Sequence, residues 1–293
     1  MRVFVTGATG FIGSAVVPEL LAAGHQVIGM ARSEAGARAL TAAGAEVLRG
    51  DLEDLESLRK GAALADSVIH AAFIHDFSKF KENCEIDRRA IETLGSVLAG
   101  SERPLIVTSG VGGLAAPGEV VTEDYEVPPN YPLPRVSEQT ALALLPKGVR
   151  ASVMRLPQVH DPVKQGLVTY LIALARGKGV SAYVGEGRNR WAAAHVSDVA
   201  RLYRLALEKN EPGAKYHAVA EEGVPMREIA EAIGRGLKIP VVSLSPEEVA
   251  PHFGWLALFA ASDLAASSEK TRKKLDWHPT GPGLIADLKQ MRY

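Results

Sequence analysis

Val3-Phe4-Val5-Thr6-Gly7-Ala8-Thr9-Gly10-Phe11-Ile12-Gly13 decides how the rest of the chain is read. Three apolar residues, two of them β-branched, make a short buried strand. Glycines at every third position follow at once, and Phe11 to Ala23 then carries apolar residues at helical spacing. A strand, a glycine turn and a helix in that order form an anion cradle. One glycine admits an unusual backbone angle at the turn, a second lets a pyrophosphate approach the main chain, and a third lets the helix pack close to the strand. Amides at the helix start then face the phosphates. The residues assigned to this cradle are Gly7, Thr9, Gly10, Phe11, Ile12 and Gly13. A merely tight turn is the plainer alternative, but it leaves the strand-turn-helix setting unexplained.

Working outward, short β-branched runs recur at Gln26 to Met30, Ala45 to Leu48, Ser67 to His70, Leu105 to Val107 and Val149 to Met154. Helical patterns lie between them at Ala35 to Ala43, Leu52 to Ala62, Glu85 to Leu98 and Ser137 to Leu145. Strands that are apolar throughout and alternate with helices imply an α/β fold, a doubly wound parallel sheet of the Rossmann type. Beyond Arg155 the punctuation changes. Pro and Gly interrupt 157–187, a helix over Val196 to Leu207 and a strand over Tyr216 to Val219 return to the sheet, and the remainder reads as short helices. The expected division is a dinucleotide-binding domain over 1–157 plus about 191–220, with a smaller, mainly helical substrate-binding region over about 158–190 plus 221–293.

The second strand ends in Ala31-Arg32-Ser33, where an acidic residue would accept from a ribose 2′-hydroxyl and repel a 2′-phosphate. Arg32 there favours NADP(H) over NAD(H), the alternative being a solvated arginine that opens a helix. After the third strand, Asp51 in Gly50-Asp51-Leu52 stands either against an adenine amino group or as a helix N-cap. Ala71-Ala72-Phe73, at the end of the fourth strand, leaves room for the middle of a cofactor.

These landmarks, with Thr108-Ser109-Gly110, Arg155-Leu156-Pro157 and His195-Val196-Ser197-Asp198-Val199-Ala200, resemble the extended and atypical short-chain dehydrogenase/reductases, the NAD(P)-dependent epimerase/dehydratase superfamily. The resemblance brings Leu52 and Thr108 to the cofactor. It also implies a proton-transferring Tyr, a Lys four residues later, and a Ser or Thr that holds the substrate oxygen. Ser109 matches the last of these, with a turn-capping hydroxyl as its alternative. The Tyr/Lys pair departs from the pattern: aligning Ser137 with the small residue before the Lys puts Glu138 at the Lys position and Pro134 at the Tyr position. A slipped register offers Tyr131 and Arg135, four apart and able to share a helix face. Arg135 would supply a permanent charge without exchanging protons.

His75, His160, Arg190 and Trp191 are the candidate substrate contacts. Each has a structural alternative, a buried histidine for the first two and a clamp at a domain seam for the last two. The reading is therefore an NADP(H)-dependent oxidoreductase acting on a small carbonyl or hydroxyl compound. An epimerase or dehydratase of the sugar type, and a non-catalytic NADP(H)-binding sensor or scaffold, are the alternatives.

Composition sets the outer limits. Among 293 residues, 33 Lys and Arg face 34 Asp and Glu, for a net charge of −1, so no global basic field exists to attract nucleic acid or an anionic membrane. One cysteine, Cys84, rules out an internal disulfide and a cysteine-based metal cluster; it fits a reducing compartment, the cytoplasm. No metal site and no membrane span are expected. The apolar stretch 253–260 reads first as core, then as a pocket lining or the interface of a homodimer.

Overall fold

The computed structural model describes residues 1–111, 118–128 and 133–293. In chain order the elements are β1 (Arg2–Thr6), α1 (Gly13–Ala22), β2 (Gln26–Ala31), α2 (Glu34–Ala42), β3 (Glu46–Arg49), α3 (Leu55–Ala63), β4 (Ser67–His70), α4 (Phe80–Leu98), β5 (Pro104–Gly110), α5 (Ser137–Leu142) and β6 (Arg150–Leu156). There follow β7 (Gln158–His160), α6 (Val168–Lys178), β8 (Ser181–Val184), β9 (Arg190–His195), α7 (Val196–Lys209), β10 (Lys215–His217) and β11 (Glu221–Pro225). The last are α8 (Met226–Leu237), β12 (Val241–Leu244), α9 (Pro246–Phe253), α10 (Ala257–Ala261), α11 (Glu269–Leu275) and α12 (Leu284–Gln290).

The chain divides into two units. Met1–Gly110, Glu126–Arg155 and Val199–Tyr216 form the first; Val111–Tyr125, Leu156–Asp198 and His217–Tyr293 form the second. The first unit is built on a seven-stranded sheet of order β10-β6-β5-β4-β1-β2-β3. Its pairs β1–β2, β2–β3, β1–β4 and β4–β5 are parallel. Strand order reverses at β1, between β2 and β4, and a doubly wound sheet binds its ligand at that switch point. Phe4, Val68, Leu105 and Val153 fill its core with Leu58, Ile91 and Leu94 of the covering helices. Helix α3 lies so close to β1 that a side chain on Gly61 would run into the Phe4 ring. Ser33 caps α2 by accepting from the Gly36 amide at 3.1 Å, and Asp54 caps α3 through the Glu56 and Ser57 amides.

The second unit has more helix than strand, as expected, but its strands were not foreseen. It holds a three-stranded sheet of order β11-β9-β7 and a two-stranded one, β12-β8, beside its helices. These strands are three to six residues long, and β9 reads Arg-Trp-Ala-Ala-Ala-His, without the β-branched enrichment that marks a strand. Strand β9 and residues 196–198 sit with the second unit, not with the nucleotide sheet, and so do 111–125. The strand expected over Tyr216 to Val219 stops at His217. The stretch 253–260 forms the end of α9, a 3-10 turn and most of α10; Phe253, Leu256 and Ala260 are core, while Trp255 and Leu258 are exposed. Among the described residues no helix is long and apolar enough to cross a membrane.

Candidate cofactor and catalytic site

The glycine turn is a backbone device. Gly7 has φ of +69°, and a Cβ there would stand 2.7 Å from the Ala72 amide nitrogen, so the turn presses directly on the end of β4. A Cβ on Gly13 would collide with the Gly7 carbonyl, which is the close helix-strand packing read from the spacing. Gly10 is exposed and meets only the Gly7 oxygen, leaving an open approach to the main chain. Helix α1 opens with no side-chain cap, so no side chain competes for its first amides. Thr9 is exposed, and Phe11 and Ile12 are half-buried. Residues of this geometry fit a dinucleotide pyrophosphate.

At the ends of β2 and β3 the charges fall into a pattern. Glu34, the first residue of α2, is paired with Arg49 at 2.6 Å and with Arg38 at 3.8 Å. Arg49 also donates to the Ser33 carbonyl. Arg32 is exposed and has no side-chain hydrogen bond or ion pair among the described residues. Asp51 is not the N-cap of the following helix, since Asp54 holds that place. Its Oδ1 accepts from the Glu53 and Asp54 amides, shaping the turn before α3. Leu52 is buried in the core beneath this turn, and Ala71, Ala72 and Phe73 are half-buried.

Around β4, β5 and α5 a polar cluster closes. His70 lies between Thr6 (Nδ1 to Oγ1, 2.9 Å) and Asp87 (Nε2 to Oδ1, 3.1 Å), all of it buried. Ser137 donates to Asp87 Oδ2 at 2.5 Å. Arg135 donates from Nε to Ser137 at 2.9 Å and from Nη2 to the Thr108 carbonyl at 3.1 Å, and its guanidinium lies 4.3 Å above the Phe73 ring. Burial raises the Asp87 carboxyl, but the His70 hydrogen bond and charge, the Arg135 charge and the Ser137 hydroxyl outweigh it and hold Asp87 below the ordinary value. Thr108 does not offer its hydroxyl to a cofactor. It donates to the His70 carbonyl at 2.7 Å and meets the buried Tyr203 hydroxyl at 2.6 Å. Ser109, next along β5, is half-buried. Tyr131 lies outside the described residues.

The epimerase family model, described as the NAD dependent epimerase/dehydratase family, matches residues 3–220. An uncharacterized protein of Schizosaccharomyces pombe is 51% identical over 295 residues, all of both chains. The chain belongs to the NAD dependent epimerase/dehydratase family. With the sterol-4-alpha-carboxylate 3-dehydrogenase (decarboxylating) of Dictyostelium discoideum, this family member shares 28% identity over 77% of its length and 73% of the relative's. The crystal structure of Thermus thermophilus UDP-glucose 4-epimerase with NAD superposes with a TM-score of 0.75 at 21% identity, covering 100% of this chain and 98% of that one, a likeness of fold. The protein is thus an α/β, NAD(P)-binding, oxidoreductase-type member of the epimerase/dehydratase family.

Glu138, where the register expects Lys, is 3% exposed and forms a two-pronged pair with buried Arg155, at 2.5 and 2.8 Å. A carboxylate held in this way cannot lower the pKa of a phenol. The family member's second unit accounts for most of the other candidates. His160 is fully buried, with Nδ1 at 2.6 Å from Asp287, so it braces β7 against α12 and has no surface to offer a substrate. Arg190 is tied to Asp263 at 2.7 Å, and the buried Trp191 donates to the Phe259 carbonyl at 3.1 Å. Together they clamp β9 onto the 259–263 segment, inside the second unit. His75 is exposed in the first unit, its ring 5.3 Å from that of Phe73. Sequence reading missed His70, Asp87 and Ser137 as a group. Only the polar residues in otherwise apolar patterns, His70 closing a strand and Asp87 within a buried helix face, signalled them.

Proposed function

We propose that this family member is an NADP(H)-dependent oxidoreductase that interconverts a small carbonyl compound and its alcohol. The observation that carries the reading is the β2–β3 edge. Arg32 is uncommitted among the described residues, and the one carboxylate at the start of α2, Glu34, is already neutralised by Arg49 and Arg38. That edge repels a 2′-phosphate less than it attracts it. Gly7, Gly10 and Gly13 would hold the pyrophosphate, and Ala71, Ala72 and Phe73 would border the nicotinamide half. When bound, the dinucleotide supplies the hydride. Ser109 would hold the reacting oxygen by a hydrogen bond, and Arg135 would place its fixed charge where alkoxide character develops. Because Arg135 keeps its protons, the proton that completes the alcohol comes from another group, for which Tyr131 is the candidate. The kinship with a sterol carboxylate dehydrogenase supports redox chemistry on a hydroxyl or carbonyl carbon.

Titration with NADPH and NADH tests the cofactor half: NADPH should bind more tightly, and equal affinities overturn the assignment. Screening carbonyl compounds with NADPH tests the catalytic half, where Tyr131→Phe and Ser109→Ala should each reduce turnover. If neither changes a measured rate, the catalytic assignment is wrong. The Glu138–Arg155 pair favours one second reading, a nucleotide-binding sensor without turnover. In that case NADPH binds and no carbonyl compound consumes it.

A further inference from the structure

The cluster around Asp87 has a direction. The Ala72 amide donates to Thr6 Oγ1 at 3.3 Å, and the same oxygen lies 2.9 Å from His70 Nδ1. Across the ring, His70 Nε2 lies 3.1 Å from Asp87 Oδ1, and because an ionised carboxylate only accepts, that nitrogen donates. From the other side, Arg135 Nε donates to Ser137 Oγ, and the Ser137 proton goes to Asp87 Oδ2. Both arms end on the two oxygens of one carboxylate that is 1% exposed. Four separate parts of the first unit supply these groups: the ends of β1 and β4, the middle of α4, and the start of α5 with the residue two before it.

We infer that Asp87 and Ser137 are positioning residues that fix the Arg135 guanidinium above Phe73, and that His70 ties this anchor to Thr6 beside the glycine turn. The catalytic meaning of that position rests on the function proposed above; the positioning itself does not. A guanidinium is planar, so anchoring Nε to Ser137 and Nη2 to the Thr108 carbonyl sets its plane as well as its place. Nη1 then has no hydrogen-bond partner among the described residues, and it is the edge left to meet a substrate oxygen. Lysine, a point charge on a flexible stem, cannot be oriented by the same two acceptors.

The test is made on the full chain labelled with 15N-arginine, with the Arg135 Nε–H signal identified by its loss in Arg135→Lys. In the wild type its solvent exchange should be at least about tenfold slower than that of exposed Arg32. Ser137→Ala and Asp87→Asn should bring it to the Arg32 rate, and Ser137→Thr, which keeps the hydroxyl, should restore protection. An unchanged Arg135 signal in Ser137→Ala overturns the inference, and that variant decides the matter if Asp87→Asn fails to fold. With a carbonyl substrate, the same variants should lose about 10- to 100-fold in kcat, with the KM for NADPH altered less than about threefold. Loss of Arg135 protection in a protein that turns over no carbonyl compound sustains the positioning and rejects the proposed function. Turnover that is indifferent to these variants while Arg135 protection is lost sustains the positioning and rejects the catalytic part given to Arg135.

Discussion

The glycine turn and the Asp87 cluster lie in the same unit and are built on opposite principles. The turn uses main chain: Gly7, Gly10 and Gly13 act by lacking a Cβ, and the work falls to amides and a close approach. The cluster uses side chains from distant parts of the sequence, buried except for the half-buried Arg135 and linked by hydrogen bonds. A main-chain site is local and is written as spacing. A side-chain site is assembled only by folding, and its energy sits in groups that become costly when a partner is removed.

The largest effect expected from this contrast is at the buried pair beside the cluster. Glu138→Gln removes the counter-charge that Glu138 gives buried Arg155, and denaturant unfolding should show a loss of about 3–5 kcal/mol. Replacing both residues by methionine should recover most of that loss; a double variant as unstable as the single one would show that the pair is not the reason. Next comes the turn itself. Gly13→Ala forces a methyl group into the Gly7 carbonyl and should cost about 1–3 kcal/mol, with dinucleotide binding reduced more than stability. Full NADPH affinity in that variant would mean the turn is not the cradle.

Arg32→Ala should weaken NADPH by about tenfold, the worth of one charge-assisted hydrogen bond, while NADH affinity stays level. The second unit supplies a pH effect of smaller size. Burial pulls the His160 imidazole below its ordinary value of 6.5, with the neighbouring His195 adding to the pull, although Asp287 and Glu221 draw it upward. A base with a depressed folded pKa contributes stability that is complete above the unfolded value and is lost as pH falls below it. Unfolding free energy should therefore drop between pH 7 and pH 5, by no more than about 1.4 kcal/mol per pH unit, with the melting temperature falling alongside, and His160→Asn should flatten that slope. An equally steep slope in the variant would place its origin elsewhere. Smallest is Asp51→Asn, which keeps an Oδ1 acceptor for the Glu53 and Asp54 amides and should leave stability within about 0.5 kcal/mol.

What could be read from the sequence follows the same line. The strands of the first sheet are apolar and β-branched, the helices between them are periodic, and the glycines stand at fixed intervals, so the fold and the cradle are legible residue by residue. That the Lys position falls on Glu138 in one register and on Arg135 in the slipped one is equally plain, because a register comparison needs no third dimension. The partner that makes Glu138 structural, Arg155, is not, and neither is the meeting of His70, Asp87, Ser137 and Arg135. Strands β7, β9 and β11 escaped because alanines and polar residues replace the usual β-formers. Arg190 and Trp191 looked like ligand contacts because a guanidinium and an indole beside a glycine turn suit either purpose, and only Asp263 and the Phe259 carbonyl decide between them.

The Glu138–Arg155 pair also governs how this chain can change. Substituting Glu138 with Lys would set two cations against each other in a site that is 2–3% exposed. The reverse order, removing Arg155 first, strands a carboxylate in the core. Either single change leaves an unstable intermediate, so the two positions can change only together. The pair is thereby locked in by packing, as a ratchet, whatever chemistry Arg135 performs.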